Sequence, residues 1–114
     1  MASEGVEVVQ GTLELLILKT LSRGEAMHGF GVLRWLRETT DGALLVEEGA
    51  LYPALHRMER RGWIEGEWAV SEKGRRAKYY TLTAVGREEL ARAEAKWTRY
   101  LRVWEQISQA AAGA

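Results

Sequence analysis

The stretch Val46-Glu47-Glu48-Gly49-Ala50-Leu51-Tyr52-Pro53-Ala54-Leu55-His56-Arg57-Met58-Glu59-Arg60-Arg61-Gly62-Trp63-Ile64 decides the fold. From Ala50 on, Leu51, Ala54, Leu55 and Met58 recur at helical spacing, while Tyr52, His56, Arg57, Glu59 and Arg60 fall on other faces. One side of such a helix packs, and the other offers donors and charge. Pro53 has no N–H and crowds the carbonyl four residues back, so the helix cannot begin much before Gly49. Gly62, after Arg60-Arg61, is a fitting stop. The interval predicts a helix of about three turns.

Outward from this helix, Trp63 to Val70 and Lys78 to Leu82 read as two strands around a turn that carries Lys73, Gly74, Arg75 and Arg76. A helix followed by a basic hairpin is the winged-helix arrangement. Upstream, Gly11 to Leu21 is apolar nearly all round and predicts a buried helix beneath the others. A second helix from about His28 to Thr39 directs Phe30, Val32, Leu33 and Leu36 inward, with Arg34, Arg37 and Glu38 outward. Thr40-Asp41-Gly42 signals a turn. Leu44-Leu45-Val46 is either a bridge into the third helix or an edge strand pairing with the wing. Residues 1–9 show neither turn chemistry nor a clear period, and read as a frayed arm or an extra helical turn.

The last segment changes character. After Thr83, an acceptable N-cap, Leu90, Ala93, Trp97, Tyr100, Trp104, Ile107 and Ala111 recur at alternating steps of three and four. This is a heptad seam, with Leu101 beside it. A helix from Ala84 to about Ala110 would run roughly 40 Å, longer than so small a core can cover. Its free face calls for a partner, and the expected dimer interface is Leu90, Ala93, Trp97, Tyr100, Leu101, Trp104 and Ile107. The plainer alternative is that the seam packs back on its own domain. The fold class is therefore mainly α with a small antiparallel β hairpin, divided into a winged helix-turn-helix over residues 1–82 and a C-terminal dimerisation helix over 83–114, together one structural unit.

Composition bounds what such a chain does. At 114 residues it is of single-domain length. No Cys is present, which excludes disulfides and thiolate metal or redox chemistry. Met1-Ala2-Ser3-Glu4-Gly5 has no basic region leading into an apolar run, and no apolar stretch approaches the ~20 residues that span a bilayer. The expectation is a soluble, cytoplasmic protein without membrane contact. Formal net charge is zero, but residues 49–82 hold seven Lys/Arg against four Asp/Glu, whereas residues 1–48 hold four against eight. The middle of the chain is thus its basic part, and from Lys73 to Lys78 there are four cations and no acid, where phosphate contact is geometrically easy.

The blocks Gly11-Thr12-Leu13-Glu14-Leu15-Leu16-Ile17-Leu18, His28-Gly29-Phe30, Glu48 to Glu59, and Gly74 to Thr83 resemble the PadR family of bacterial transcriptional regulators. The resemblance covers residues 10 to about 90, and the middle and wing blocks are specific in combination. It implies a homodimeric winged helix-turn-helix repressor, its third helix in the major groove of operator DNA and its wing on the adjacent backbone or minor groove. The short tail resembles the compact branch with a single C-terminal helix. Two departures stand out. Ala50 occupies a place where the family commonly has a hydroxyl residue, and Glu47 and Glu48 favour the helix N-terminus but repel a phosphate there.

The residues expected to meet double-stranded DNA are Tyr52, Pro53, His56, Arg57 and Arg60 on the helix, and Lys73, Gly74, Arg75, Arg76 and Lys78 on the wing. Helical arginines are usually a solvated face, and a cationic turn can merely solubilise; four cations on one loop, however, repel one another unless an anion relieves them. His28 reads as a structural histidine at the junction of the first two helices. Trp97 and Trp104 are bulky for heptad core positions, so the indoles either fill the core against Leu13 or Leu16 or border an inter-subunit gap that takes a small planar aromatic effector. Catalysis is not expected: the two His are 28 apart without ligand-spaced partners, and no phosphate loop or nucleophile elbow occurs. No cofactor is implied. A protein-interaction module on a winged-helix scaffold is the competing reading, because fold does not fix function.

Overall fold

The computed structural model describes residues 6–7 and 12–113, with the side chains of residues 6 and 7 outside the description. Most of the 1–9 segment and Gly11 therefore lie outside the described residues. The elements run β1 (Val6–Glu7), α1 (Leu13–Leu21), β2 (Met27–His28), α2 (Gly29–Thr39), β3 (Leu44–Leu45), α3 (Glu48–Arg60), β4 (Ile64–Val70), β5 (Arg76–Leu82) and α4 (Ala84–Ala112).

Burial of the apolar positions holds the three-helix core together. Ile17, Leu18 and Leu21 of α1, Val32 and Leu33 of α2, and Leu51, Ala54, Leu55 and Met58 of α3 are each 0–1% exposed. The one buried polar side chain among them, Thr20, donates its hydroxyl to the Leu16 carbonyl at 2.8 Å, so it carries no unmet desolvation cost. Phe30 departs from expectation: it is 47% exposed, not inward. The space at that end of α2 is occupied by α3, since a Cβ on Gly29 would lie 2.7 Å from Tyr52 Cε1 and 3.2 Å from Leu55 Cδ1. The smallest residue faces α3 there, and Phe30 is turned out.

His28 caps α2, its Nδ1 accepting from the Gly31 N–H at 2.9 Å, while its ring meets Tyr79 edge-on with centroids 5.3 Å apart. The structural reading of this histidine agrees with that geometry. Its residue also belongs to a strand: Met27 and His28 pair antiparallel with Tyr80 and Tyr79, so the wing sheet has three strands in the order β2-β5-β4. Leu44–Leu45 pairs with Val6–Glu7 in parallel, not with the wing. The arm that lacked a legible period thus supplies a strand at the entrance to α3.

The exit from α3 binds the rest of the chain to it. Gly62, at φ 76°, lets Trp63 N–H reach back to the Met58 carbonyl at 3.0 Å and its own N–H to the Glu59 carbonyl at 3.0 Å. The Thr83 hydroxyl then donates to the Gly62 carbonyl at 2.5 Å and accepts from the Gly86 N–H at 3.0 Å, which caps α4 on the end of α3. Gly86 passes so close to the Trp63 carbonyl that a Cβ would overlap its oxygen, and Leu82 Cδ1 would sit at 2.8 Å. Past this junction Leu90 joins the core and Lys19 meets Glu94 at 3.0 Å; from Glu94 onward every described residue of α4 is exposed. The 29-residue helix is about 43 Å long, and it draws the molecule out to 61 Å along its longest axis.

This junction predicts a sign. In an open helix, Gly→Ala stabilises by up to ~1 kcal/mol. Gly86→Ala should instead lower stability by about 1–3 kcal/mol in urea unfolding, because the backbone of Trp63 has to move. A stability equal to or above wild type would show that the close approach is not a constraint.

Candidate nucleic-acid interface

With Leu51, Ala54, Leu55 and Met58 fully buried, the rotation of α3 about its axis is set, and Gly49, Tyr52, Pro53, His56 and Arg60 emerge as one exposed stripe. The ring of Tyr52 rests over Gly29 and leaves 41% of the residue to solvent. Pro53 lies inside the helix, in its second turn, where its missing N–H leaves the Gly49 carbonyl without its helical donor on that same stripe. His56, Glu59 and Arg60 line a shallow hollow toward the C-terminal end.

Arg57 is placed differently from its neighbours. Its guanidinium donates to the Glu14 carboxylate at 2.5 Å, binding α3 to α1. Arg57, expected among the DNA-facing residues, is thus engaged by a carboxylate of α1 while 42% of its side chain stays exposed.

The wing divides by strand alternation. The register sets Gly66 opposite Tyr80, Trp68 opposite Lys78 and Val70 opposite Arg76, so these six share one face. The turn beyond is closed by Gly74 N–H to the Ser71 carbonyl at 2.9 Å and by Ser71 N–H to the Arg75 carbonyl at 2.6 Å. Lys73, Gly74, Arg75 and Arg76 are exposed there. Arg76 lies over the Trp68 indole, 4.9 Å from the ring centroid, which orders the guanidinium while leaving its edge to solvent. Lys78 is a strand residue, as the reading of Lys78 to Leu82 as a strand expected. It sits inside β5 and its ammonium meets the Glu59 carboxylate at 2.8 Å. That hydrogen bond, partly opposed by desolvation, raises the Lys78 pKa above the ordinary lysine value. Burial likewise raises the Tyr80 phenol.

Along α4 the seam residues separate into two groups. Leu90 is 7% exposed within its own core, so it is unavailable to a partner, and its place in the interface set is corrected. Ala93 is half-buried. Trp97, Tyr100, Leu101, Trp104 and Ile107 are 44–61% exposed, with the rings of Trp97 and Tyr100 stacked at 6.1 Å between centroids. Neither indole is buried against α1.

Glu59, Gly66 and Trp68 were not singled out by sequence. Trp68 and Gly66 carried a signal in the period-two alternation of β4, whereas the pairing of Glu59 with Lys78 depends on how the hairpin folds back over α3. Among the described residues no group of three or more His, Cys, Asp or Glu could hold a metal ion, and no helix is long and apolar enough to cross a membrane.

Comparison with known proteins agrees with this geometry. Residues 17–92 match the model of the transcriptional regulator PadR-like family. A PadR-like transcriptional regulator from Bacillus cereus is 31% identical, with 88% of this chain and 94% of that one covered at a TM-score of 0.74. A PadR-like transcription factor from Bacteroides fragilis is 33% identical over 85% of this chain and 90% of that one, at a TM-score of 0.71. A transcriptional regulator from Clostridium thermocellum superposes at a TM-score of 0.77, with 26% identity over 85% of this chain and 93% of that one. The matched span takes in α1 from Ile17, the exposed stripe of α3, the basic hairpin and the first turns of α4, and the chain is a member of the PadR-like family of transcriptional regulators.

Proposed function

We propose that the protein is a homodimeric repressor that binds operator DNA with α3 in the major groove and the 71–78 wing on the adjacent backbone or minor groove. The observation that carries this reading is the exposed stripe Tyr52, Pro53, His56 and Arg60 flanked by the exposed cations Lys73, Arg75 and Arg76. Tyr52, His56 and Arg60 supply donors for base edges and phosphates, Lys73, Arg75 and Arg76 supply charge for the backbone, and Pro53 offers only an apolar contact. The second copy is argued from α4. Five large apolar or aromatic side chains from Trp97 to Ile107 stand exposed on consecutive turns, a face that a symmetric partner helix would cover.

One experiment tests both parts. Binding to a mixed-sequence 30-base-pair duplex should weaken steeply with salt, with a slope of log affinity on log salt of roughly −4 to −7 for a dimer with up to eight phosphate contacts. Leu101→Glu with Trp104→Glu should sediment as a monomer and about halve that slope. Salt-insensitive binding, or none, would favour a protein-interaction module; a double variant that stays dimeric would move the interface elsewhere.

A second reading, that Trp97 and Trp104 border a gap between subunits accepting a planar aromatic effector, is favoured by the exposure of both indoles and by the stacked Trp97–Tyr100 pair. A ligand there alters DNA affinity only if it binds two dimer geometries unequally. Titration with quinoline and naphthalene derivatives should quench Trp fluorescence and shift duplex affinity, and Trp97→Ala should weaken the ligand by about tenfold, the scale of a lost aromatic contact. Quenching that survives the substitution and leaves duplex affinity untouched would return Trp97 to a packing role.

A further inference from the structure

Among the described residues one ion pair, Glu59–Lys78, links the wing to α3, and its surroundings are shaped to receive it. Glu59 lies on α3 between His56 and Arg60, in the exposed hollow those three residues line. A carboxylate at this place opposes any phosphate that approaches. Lys78 answers it across the hairpin: the 2.8 Å contact is formed with both side chains three-quarters covered, at 26% and 29% exposure, which sets it apart from the solvent-exposed pairs Lys19–Glu94 and Arg34–Glu38.

The route taken by the lysine is as telling as its end. Its stem crosses Gly66 of the neighbouring strand so closely that a Cβ there would overlap Lys78 Cε and come within 3.0 Å of its Cγ. The ammonium lies 5.8 Å from the centroid of the Tyr80 ring, which is directly opposite Gly66. A slot at Gly66, an aromatic floor at Tyr80 and an acid at the far end confine a side chain that would otherwise sample many rotamers.

We propose that Glu59 and Lys78 form a latch that fixes the angle between the wing and α3, and that Lys78 acts as a positioning residue for DNA binding, not as a phosphate contact. The inference rests on the reading of α3 and the wing as the DNA-binding surface. With the latch closed, Lys78 cancels the charge of Glu59 inside the interface and holds the turn cations at a set distance from the α3 stripe. Loss of either partner frees the wing.

The latch makes an expectation opposite to simple electrostatics. Removing a negative charge from a DNA-facing surface ordinarily strengthens binding. Glu59→Gln should instead weaken binding to the mixed-sequence duplex by roughly three- to tenfold, the scale of one charged hydrogen bond, and so should Lys78→Met. The exchange Glu59→Lys with Lys78→Glu should recover affinity to within about twofold of wild type. Gly66→Ala changes no charge but fills the slot, and should reproduce the Lys78→Met loss. In the free protein, amide exchange along β4 and β5 should quicken in Glu59→Gln and return to the wild-type rate in the exchanged pair.

Tighter binding by Glu59→Gln would overturn the latch, as would an exchanged pair no better than the weaker single variant. If wild type does not bind the duplex, the DNA-binding reading fails, and the amide exchange of the free protein decides the latch by itself. Unaltered exchange in Glu59→Gln and Gly66→Ala would then refute it.

Discussion

What α3 presents to solvent follows from the burial of its opposite face. Leu51, Ala54, Leu55 and Met58 have no exposed surface, and each large side chain among them contributes on the order of 1.5–3 kcal/mol of apolar transfer to the fold. Turning the helix by one residue, about 100°, would drive Tyr52 or Glu59 into that core and expose Met58. The loss would be comparable with the whole stability of a small domain. Rotation is therefore not adjustable, and the stripe from Tyr52 to Arg60 is determined by what lies behind it.

The same helix organises the chain on both sides. Its C-terminal reversal at Gly62 offers the carbonyls of Gly62 and Trp63 to Thr83, so that the long α4 is capped on the end of α3. Its flanks reach the buried helix through Arg57 and Glu14, and the hairpin through Glu59 and Lys78. The arrangement links surface to scaffold: Arg57 and Lys78 are each engaged by a carboxylate, while the turn cations and the α3 stripe stay exposed. α4 is related to this core only through its first turns, which is why Leu90 is buried and Trp97 is not.

Much of this was legible in the residues. The spacing of Leu51, Ala54, Leu55 and Met58, the stop at Gly62, the alternation of the hairpin and the heptad steps of the tail all correspond to elements in the structure, because each is a local periodicity set by backbone geometry. The third wing strand was not legible. Met27–His28 is two residues long, and its strand character comes from pairing with β5, a contact about 50 residues away in sequence. The β1–β3 pair escaped for the same reason. Among the expected site residues, Tyr52, Pro53, His56, Arg60 and the turn cations are exposed, whereas Arg57, Lys78 and Leu90 are engaged within the chain. The first two turned on a partner carboxylate that helical and strand periods do not encode. Leu90 turned on where a continuous seam leaves its own core, and that depends on the tilt of α4 against α1. Periodicity alone places Phe30 inward, whereas the close approach of Tyr52 to Gly29 leaves it turned out.

In the proposed dimer the fixed α3 stripe is presented twice, once by each copy. Selection of bound duplexes from a random pool tests it most directly. An inverted repeat whose half-sites lie about one helical turn, ~34 Å, apart should be enriched, since paired recognition helices read successive major grooves on one side of the duplex. Enrichment of a single asymmetric half-site, or none above the starting pool, would contradict it.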